Sequence, residues 1–453
     1  MDQRCRRGAA PLIGSLASPR TSLALLGAAL TALTLGALTL HVPGADTVGS
    51  PLRANLFVGV LAVSVGVYLL AVRVALRHDL PASATRLVLA LAVLLRLALL
   101  LQPPFLSSDI YRYVWDGQVQ AAGINPYLYV PADPALAPLR DPDVFPLINR
   151  ADYARTIYPP AAQAFFAIVG RISAGVTGMK AAMLLCEGVA VLCLLALLAR
   201  AGQPRVRILI YAWNPLVLWS FALDGHVDAL AVGLLALALL ARARHRDGLA
   251  GAILAGAVLV KFLPVVVAPA FIRGGRLWRP ALAGLTVIVA LYAPYLSAGA
   301  GVLGFLPAYG AEEGFDTGQG FWLLAGLSHL VTLPAAAARI YALAVAAGFA
   351  ALSLWVATRK ASKDEPGEVV LCRDAGLLAA LATAAANPHY AWYYAWLALP
   401  ACVAPNPAVI WLSAAPVLFY VDPFNERFVW PGLVFGPALI LALRALLRRR
   451  RAL

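Results

Sequence analysis

The chain is dominated by apolar runs long enough to cross a bilayer. Segments such as Ser22 to Leu40 and Leu184 to Leu198 approach the roughly 20 residues a transmembrane helix needs. Lipid offers no partner for backbone N–H and C=O groups, so spanning segments are helices or closed barrels. Barrel strands would read as short alternating stretches, whereas these runs are long and continuous. The composition agrees: 62% of residues are hydrophobic and 13% are charged, against about 25% charged in soluble domains. The expected fold class is therefore all-α, a polytopic transmembrane protein of about 11–14 spans.

The formal net charge of +14 would suggest nucleic acid in a soluble protein. Here the basic residues gather at the termini and in short loops, as at Arg4, Arg6 and Arg7, Arg242, Arg244 and Arg246, and Arg448 to Arg451. That distribution follows the positive-inside rule and argues for membrane lipids, with no nucleic acid partner. The cysteines Cys5, Cys186, Cys193, Cys372 and Cys402 form no CxxC pair, so neither a disulfide framework nor a metal site is indicated. The run from Ser22 exceeds a signal-peptide core of about 7–15 residues and reads as a retained first span.

Basic flanks then order the chain. Residues 1–20 read as a cytoplasmic tail, 21–103 as N-terminal spans, 104–160 as an outer loop, 161–446 as further transmembrane helices and 447–453 as a basic cytoplasmic tail. Arg96 interrupts the third span and is expected to face protein or a polar cavity. Gly248 to Ile272 has basic loops at both ends and contains VKFLP. A Pro-broken hairpin that keeps both ends inside fits better than a single pass, and broken helices at membrane depth line cavities. No internal repeat is evident.

The long polar interruption, Gln102 to Pro160, is rich in Tyr, Asp, Pro and Asn. Loops beyond about 12–15 residues are usually functional or disordered, and the aromatics here argue against disorder. Asp109 to Ala122 has helical periodicity, with Ile110, Tyr113, Val114 and Gly117 on one face, as for a helix lying along the membrane surface. Asp109 stands just past a span and could act as general base toward an acceptor hydroxyl, giving an inverting displacement at a sugar carbon. Asp116, two helical turns on, can share its face. The bland alternative is that both are solvated loop acids.

SSDIYRYVWDGQVQAAGINPY, followed by INRADYARTIYPPAAQAFF, resembles the first outer loop of the polyprenyl-phosphate-dependent glycosyltransferases of the GT-C superfamily. The likeness is to its bacterial, mannosyltransferase-like branch, close to glycosyltransferase family 87. Shorter likenesses lie in WNPLVLWSFALDGHVDAL, VKFLP and NPHYAWYYAWLALP. Together they extend over roughly Ser107 to Pro400, whereas the first two spans match nothing in that group. The resemblance implies a multi-span enzyme of the bacterial plasma membrane with its active site on the outer face. Such an enzyme moves a sugar, often mannose, from a polyprenyl-phosphate-linked donor to a glycan or glycolipid acceptor, with inversion. Asp109 corresponds to the catalytic carboxylate of that loop. No DxD pair occurs at Asp109, so no metal is assigned, and no cofactor is implied.

Candidate substrate contacts follow from the other polar groups. Asp224, His226 and Asp228 fall where a span reaches the outer face, and ionisable groups there are functional candidates; a capped turn is the structural alternative. Lys261, a lone cation in the broken segment, suits a lipid phosphate or snorkels. Arg112 and Arg155 suit phosphate or headgroups. Tyr390 and its aromatic neighbours suit a sugar face or an interfacial belt, with His389 beside them. Tyr158 precedes two prolines that stiffen the return to the membrane. The rival class is a transporter or lipid flippase, which would show pseudo-symmetric halves about a midplane site.

Overall fold

The computed structural model describes residues 18–40, 51–273, 277–360, 364–421 and 429–450. Most of the N-terminal tail, Arg276, Lys363 and Arg451 lie outside the described residues. Those residues form helices and no strands. Three long helices open the fold: α1 (Pro19–Leu40), α2 (Pro51–Arg77) and α3 (Ala82–Leu100). A loop carries α4 (Asp109–Ala121), then α5 (Pro160–Ile172) and α6 (Val176–Arg200) follow. Beyond a bent segment come α7 (Asp228–Ala243), α8 (Asp247–Val258), α9 (Trp278–Tyr292), α10 (Ala337–Thr358), α11 (Gly367–Ala386) and α12 (Val429–Arg450).

Among the described residues, eight helices are long and apolar enough to cross a membrane, or nine if a bent pair counts as one span. The higher count from sequence rested on apolar stretches that fold as shorter, broken pieces, among them 247–272 and 407–420. The stretch Ile208 to Leu223 is not one straight span. Arg205–Ala212 and Pro215–Leu223 meet at 56°. Asn214 ends the first piece and caps the second, its Oδ1 accepting from the N–H groups of Leu216 and Val217 at 2.9 and 3.3 Å. Pro215 then takes the first helical position, where its missing N–H costs nothing. The kink is held by a buried pair: Arg96 reaches Glu187 of α6 at 3.0 Å through Nε and donates to the freed carbonyl of Ala212 at 2.9 Å. The arginine inside the third span thus faces protein.

Residues 247–272 form the expected hairpin. Arg242, at the end of α7, donates to the carbonyls of Phe271 and Arg273 at 2.7 and 2.6 Å, so the hairpin closes on the side where it began. Its tip reaches the long loop, since the carbonyl of Leu259 accepts from Ala161 and Ala162 at the start of α5.

The long loop is folded. The helix α4 has the expected bounds, but it is covered nearly all round instead of keeping one wet face: Ile110, Tyr113, Trp115, Asp116 and Gln120 are all buried. It packs on α5 through glycine. A Cβ at Gly117 would come within 2.6 Å of the Phe166 carbonyl, and one at Gly170 within 2.7 Å of the Gly117 backbone. Small residues let two helix backbones approach this closely. Tyr113 stacks on Phe166 with ring centroids 4.8 Å apart.

Candidate active site

The first turn of α4, the hairpin tip, the loop residues 149–159 and the segment 390–393 enclose a cavity of about 560 Å³. Leu40, Phe57 and Val58 of α1 and α2, with Phe105, give it an apolar wall. Tyr390, Trp392 and Tyr393 give it an aromatic one. Phe305 and Tyr309 border it from the stretch that follows α9, residues 293–312. The first two helices, for which the sequence offered no likeness, therefore help to form the cavity.

Asp109 lines it from the first helical position of α4, where the helix dipole favours a carboxylate. Ser107 Oγ accepts from the Asp109 N–H at 3.2 Å, and Asn149 donates to Oδ1 at 3.2 Å. The side chain keeps 24% exposure. Burial pushes its carboxyl above the usual range, opposed by the nearby Lys261 and by the Asn149 amide.

Lys261 is not the lone cation expected from sequence. Its Nζ lies 2.9 and 2.7 Å from the carboxylate oxygens of Asp228 in the first turn of α7, and 3.7 Å from the centre of the Tyr393 ring. It still lines the cavity, whereas Asp228 stands behind it. His226 is fully buried behind Asp109, with Nδ1 3.7 Å from Oδ2. Its ring stacks on Trp392 at 4.1 Å. Burial, with Lys261 nearby, holds the imidazole far below its ordinary pKa, so the ring is neutral.

Other candidates from sequence are placed elsewhere. Asp116 does not reach the cavity. Seven residues of helix displace it about 10 Å along the axis from Asp109, and there α5 covers it. Its carboxylate accepts from Arg112 Nε at 2.9 Å, Thr156 Oγ1 at 2.6 Å and Gln163 Nε2 at 2.7 Å. Arg112 borders the cavity, but its guanidinium is spent on Asp116 and the Ala154 carbonyl. Asp224 is buried at the loop root, its Oδ1 accepting from the N–H groups of Phe105 and Leu106 at 3.2 and 3.1 Å. His389 stays outside the lining, 3.7 Å from Glu313. Tyr158 and Tyr390 both line the cavity, Tyr158 edge-on to Tyr113 and Tyr390 stacked on Trp392.

Among the polar lining residues that the sequence reading gave no role are Asn149 and Arg150. Both stand in the INRADY run. Arg150 adopts a left-handed φ of 56°, uncommon for a residue with a side chain. It is anchored by Glu312, at the end of the short helix Leu306–Glu312. Only the density of polar residues in that run signalled them. Arg155 also lines the cavity, and its guanidinium forms no ion pair with a described residue.

A family model described as alpha-(1->6)-mannopyranosyltransferase, N-terminal domain, matches residues 19–274, so the first two helices, for which the sequence reading found no likeness, lie within the match. No curated protein and no solved structure matches the chain.

Proposed function

The chain belongs to the alpha-(1->6)-mannopyranosyltransferase family, and from that premise we propose that it transfers mannose from a polyprenyl-phosphate donor to a hydroxyl of a glycan or glycolipid, with inversion, at the outer face of the plasma membrane. The family makes it a glycosyltransferase. The donor, the stereochemistry, the base and the face are our reading.

The observation that carries it is a carboxylate beside a lysine in a cavity with both apolar and aromatic walls. The wall of Leu40, Phe57, Val58 and Phe105 suits an isoprenoid chain. The rings of Tyr390, Trp392 and Tyr393 suit a sugar face. Asp109 takes the proton of the acceptor hydroxyl as that oxygen forms its bond to the anomeric carbon. The bond from that carbon to the phosphate oxygen breaks, and the lipid phosphate leaves with the electron pair. Arg155, free of ion pairs among the described residues, and Lys261, which also lines the cavity, offset the phosphate charge. Charged groups fixed before the reaction stabilise a developing anion without reorganising. Arg73, Arg77 and Arg86 around the turn between α2 and α3 support the outer-face reading. They favour the inner side, and α3 then delivers Asp109 outside.

The test is transfer by purified protein in lipid, with labelled polyprenyl-phosphate mannose and a panel of glycan acceptors. Asp109→Asn should lower turnover about 10²–10⁴-fold, the usual contribution of a general base, with its folding retained. Wild-type turnover in that variant would remove the base. Transfer from a nucleotide sugar without a lipid intermediate would remove the donor.

A further inference from the structure

We infer that His226 is a positioning residue, whose Nδ1–H closes on Asp109 Oδ2 in the loaded enzyme and aims the other oxygen of that carboxylate at the acceptor hydroxyl. The inference rests on the reading of Asp109 as base and deepens it.

The backbone sets up the approach. Gly225 has φ 64°, and a Cβ there would lie 2.5 Å from Ile110 and 2.9 Å from the Lys180 side chain. Only glycine lets this turn press onto the first turn of α4. The N–H of His226 donates to the Ser220 carbonyl at 3.0 Å, and its own carbonyl accepts from Ala229. The residue is thus fixed between the bent span and α7. Trp392 covers the ring face.

The imidazole is fully buried and absent from the cavity lining, so it touches no substrate. Neither ring nitrogen has a hydrogen-bond partner among the described residues. Buried polar atoms are nearly always paired, and the Asp109 carboxylate lies 3.7 Å from Nδ1. Closing to a hydrogen bond needs a movement of roughly 0.7 Å. Catalytic hydrogen bonds are often long in an empty site and tighten when substrate is bound. A neutral ring suits this role, because it donates without adding a charge beside Lys261.

Other groups also bear on the carboxylate. Lys261, Arg150 and the Asn149 amide favour its charged form, whereas Asp228 disfavours it. Asp224, Tyr113, Tyr158, Tyr390 and Tyr393 also sense its charge. The His226 N–H joins the first set, because donation to a carboxylate favours ionisation.

Two variants separate positioning from packing. His226→Phe keeps the ring against Trp392 and removes the donor. His226→Asn places an amide N–H where Nδ1 stood. The readout is the pH profile of kcat/KM for mannosyl transfer, with the thermal midpoint of the solubilised protein as control. In His226→Phe, turnover at pH 7 should fall roughly 10- to 100-fold, the worth of one hydrogen bond to a charged group. Its acid limb should move up by about one to two pH units, with KM for the donor nearly unchanged. His226→Asn should restore the limb and most of the turnover. An unmoved acid limb in His226→Phe overturns the inference, as does equal impairment of both variants. Wild-type activity in Asp109→Asn would instead overturn the base itself, which keeps the two failures distinct.

Discussion

The pair of Lys261 and Asp228 can be tested by breaking it one charge at a time and then removing both. At 2.7 Å, the attraction is about 6 kcal/mol at an effective dielectric constant near 20. Desolvation of both ions offsets most of it. Deleting one partner costs about 3–5 kcal/mol when the other charge stays buried, whereas replacing both is often close to neutral. The side chains keep 17% and 10% exposure, which places the loss near the lower end. The two single changes should differ. Lys261 without Asp228 retains the Tyr393 ring at 3.7 Å and the charge of Asp109 nearby. Asp228 has no other cation at its carboxylate among the described residues. Lys261→Met should therefore destabilise by about 3 kcal/mol and Asp228→Asn by less. The double variant should lie close to Asp228→Asn, with a coupling of at least about 1.5 kcal/mol. The assay is equilibrium or thermal unfolding of all four proteins in one detergent, with transfer measured alongside. Transfer should stay low in both proteins that lack Lys261, including the stable double variant, if the lysine faces the donor phosphate. Additive losses in the double variant would show that the two charges do not act as a pair.

The remaining expectations concern the scaffold. Burial pushes Asp224 up to about 8, opposed by the N–H groups of Leu106 and Phe105 and by Lys180. The folded chain then holds a proton that the unfolded chain releases near pH 4, so stability from this group falls as pH rises from about 4 through about 8. Asp224→Asn keeps an acceptor for both N–H groups, and its thermal midpoint should vary less with pH over that window; an unchanged slope would refute the assignment. Gly117→Val should separate α4 from α5, because a Cβ would meet the Phe166 carbonyl at 2.6 Å. Transfer should be lost and protease cleavage within residues 101–159 should increase, whereas native protection would refute the close approach.

The sequence specified the elements whose physics is local. The bounds of α4 followed from apolar spacing, and the hairpin of residues 247–272 followed from basic residues at both ends with Pro264 between them. The bend at Asn214 and Pro215 was written just as locally, in an Asx cap followed by proline at the first helical position, yet hydropathy alone reads through it. Partners distant in sequence were not legible. Lys261 looked unpaired because Asp228 lies 33 residues earlier on another helix. Asp116 looked like a second site acid because it shares a face with Asp109. A shared face fixes direction about the axis but not depth along it, and Asp116 lies beneath α5. The wall from α1 and α2 was invisible for a related reason: an apolar residue facing a cavity and one facing lipid have the same composition.

What singles out Asp109 is how the neighbouring carboxylates are used. Asp224 holds the N–H groups where the long loop begins, and Lys180 holds the carbonyls of Leu99 and Gln102 just before them. Asp116, through Arg112, Thr156 and Gln163, ties α4 to the loop's return. Glu187 fixes Arg96 at the bent span, and Asp228 holds Lys261. Each of these acids is committed to a backbone root or to a cation, and the one oxygen left without a partner among them, Asp224 Oδ2, is buried away from the cavity. Asp109, fastened at a distance by one amide of Asn149 at 3.2 Å, has acceptor capacity left. Fixing both ends of the loop with buried polar groups makes that spare capacity useful. A general base contributes only when its oxygen is held within hydrogen-bond reach of the proton it removes, and a loop secured at root and return can hold it there while its lone pairs stay unspent.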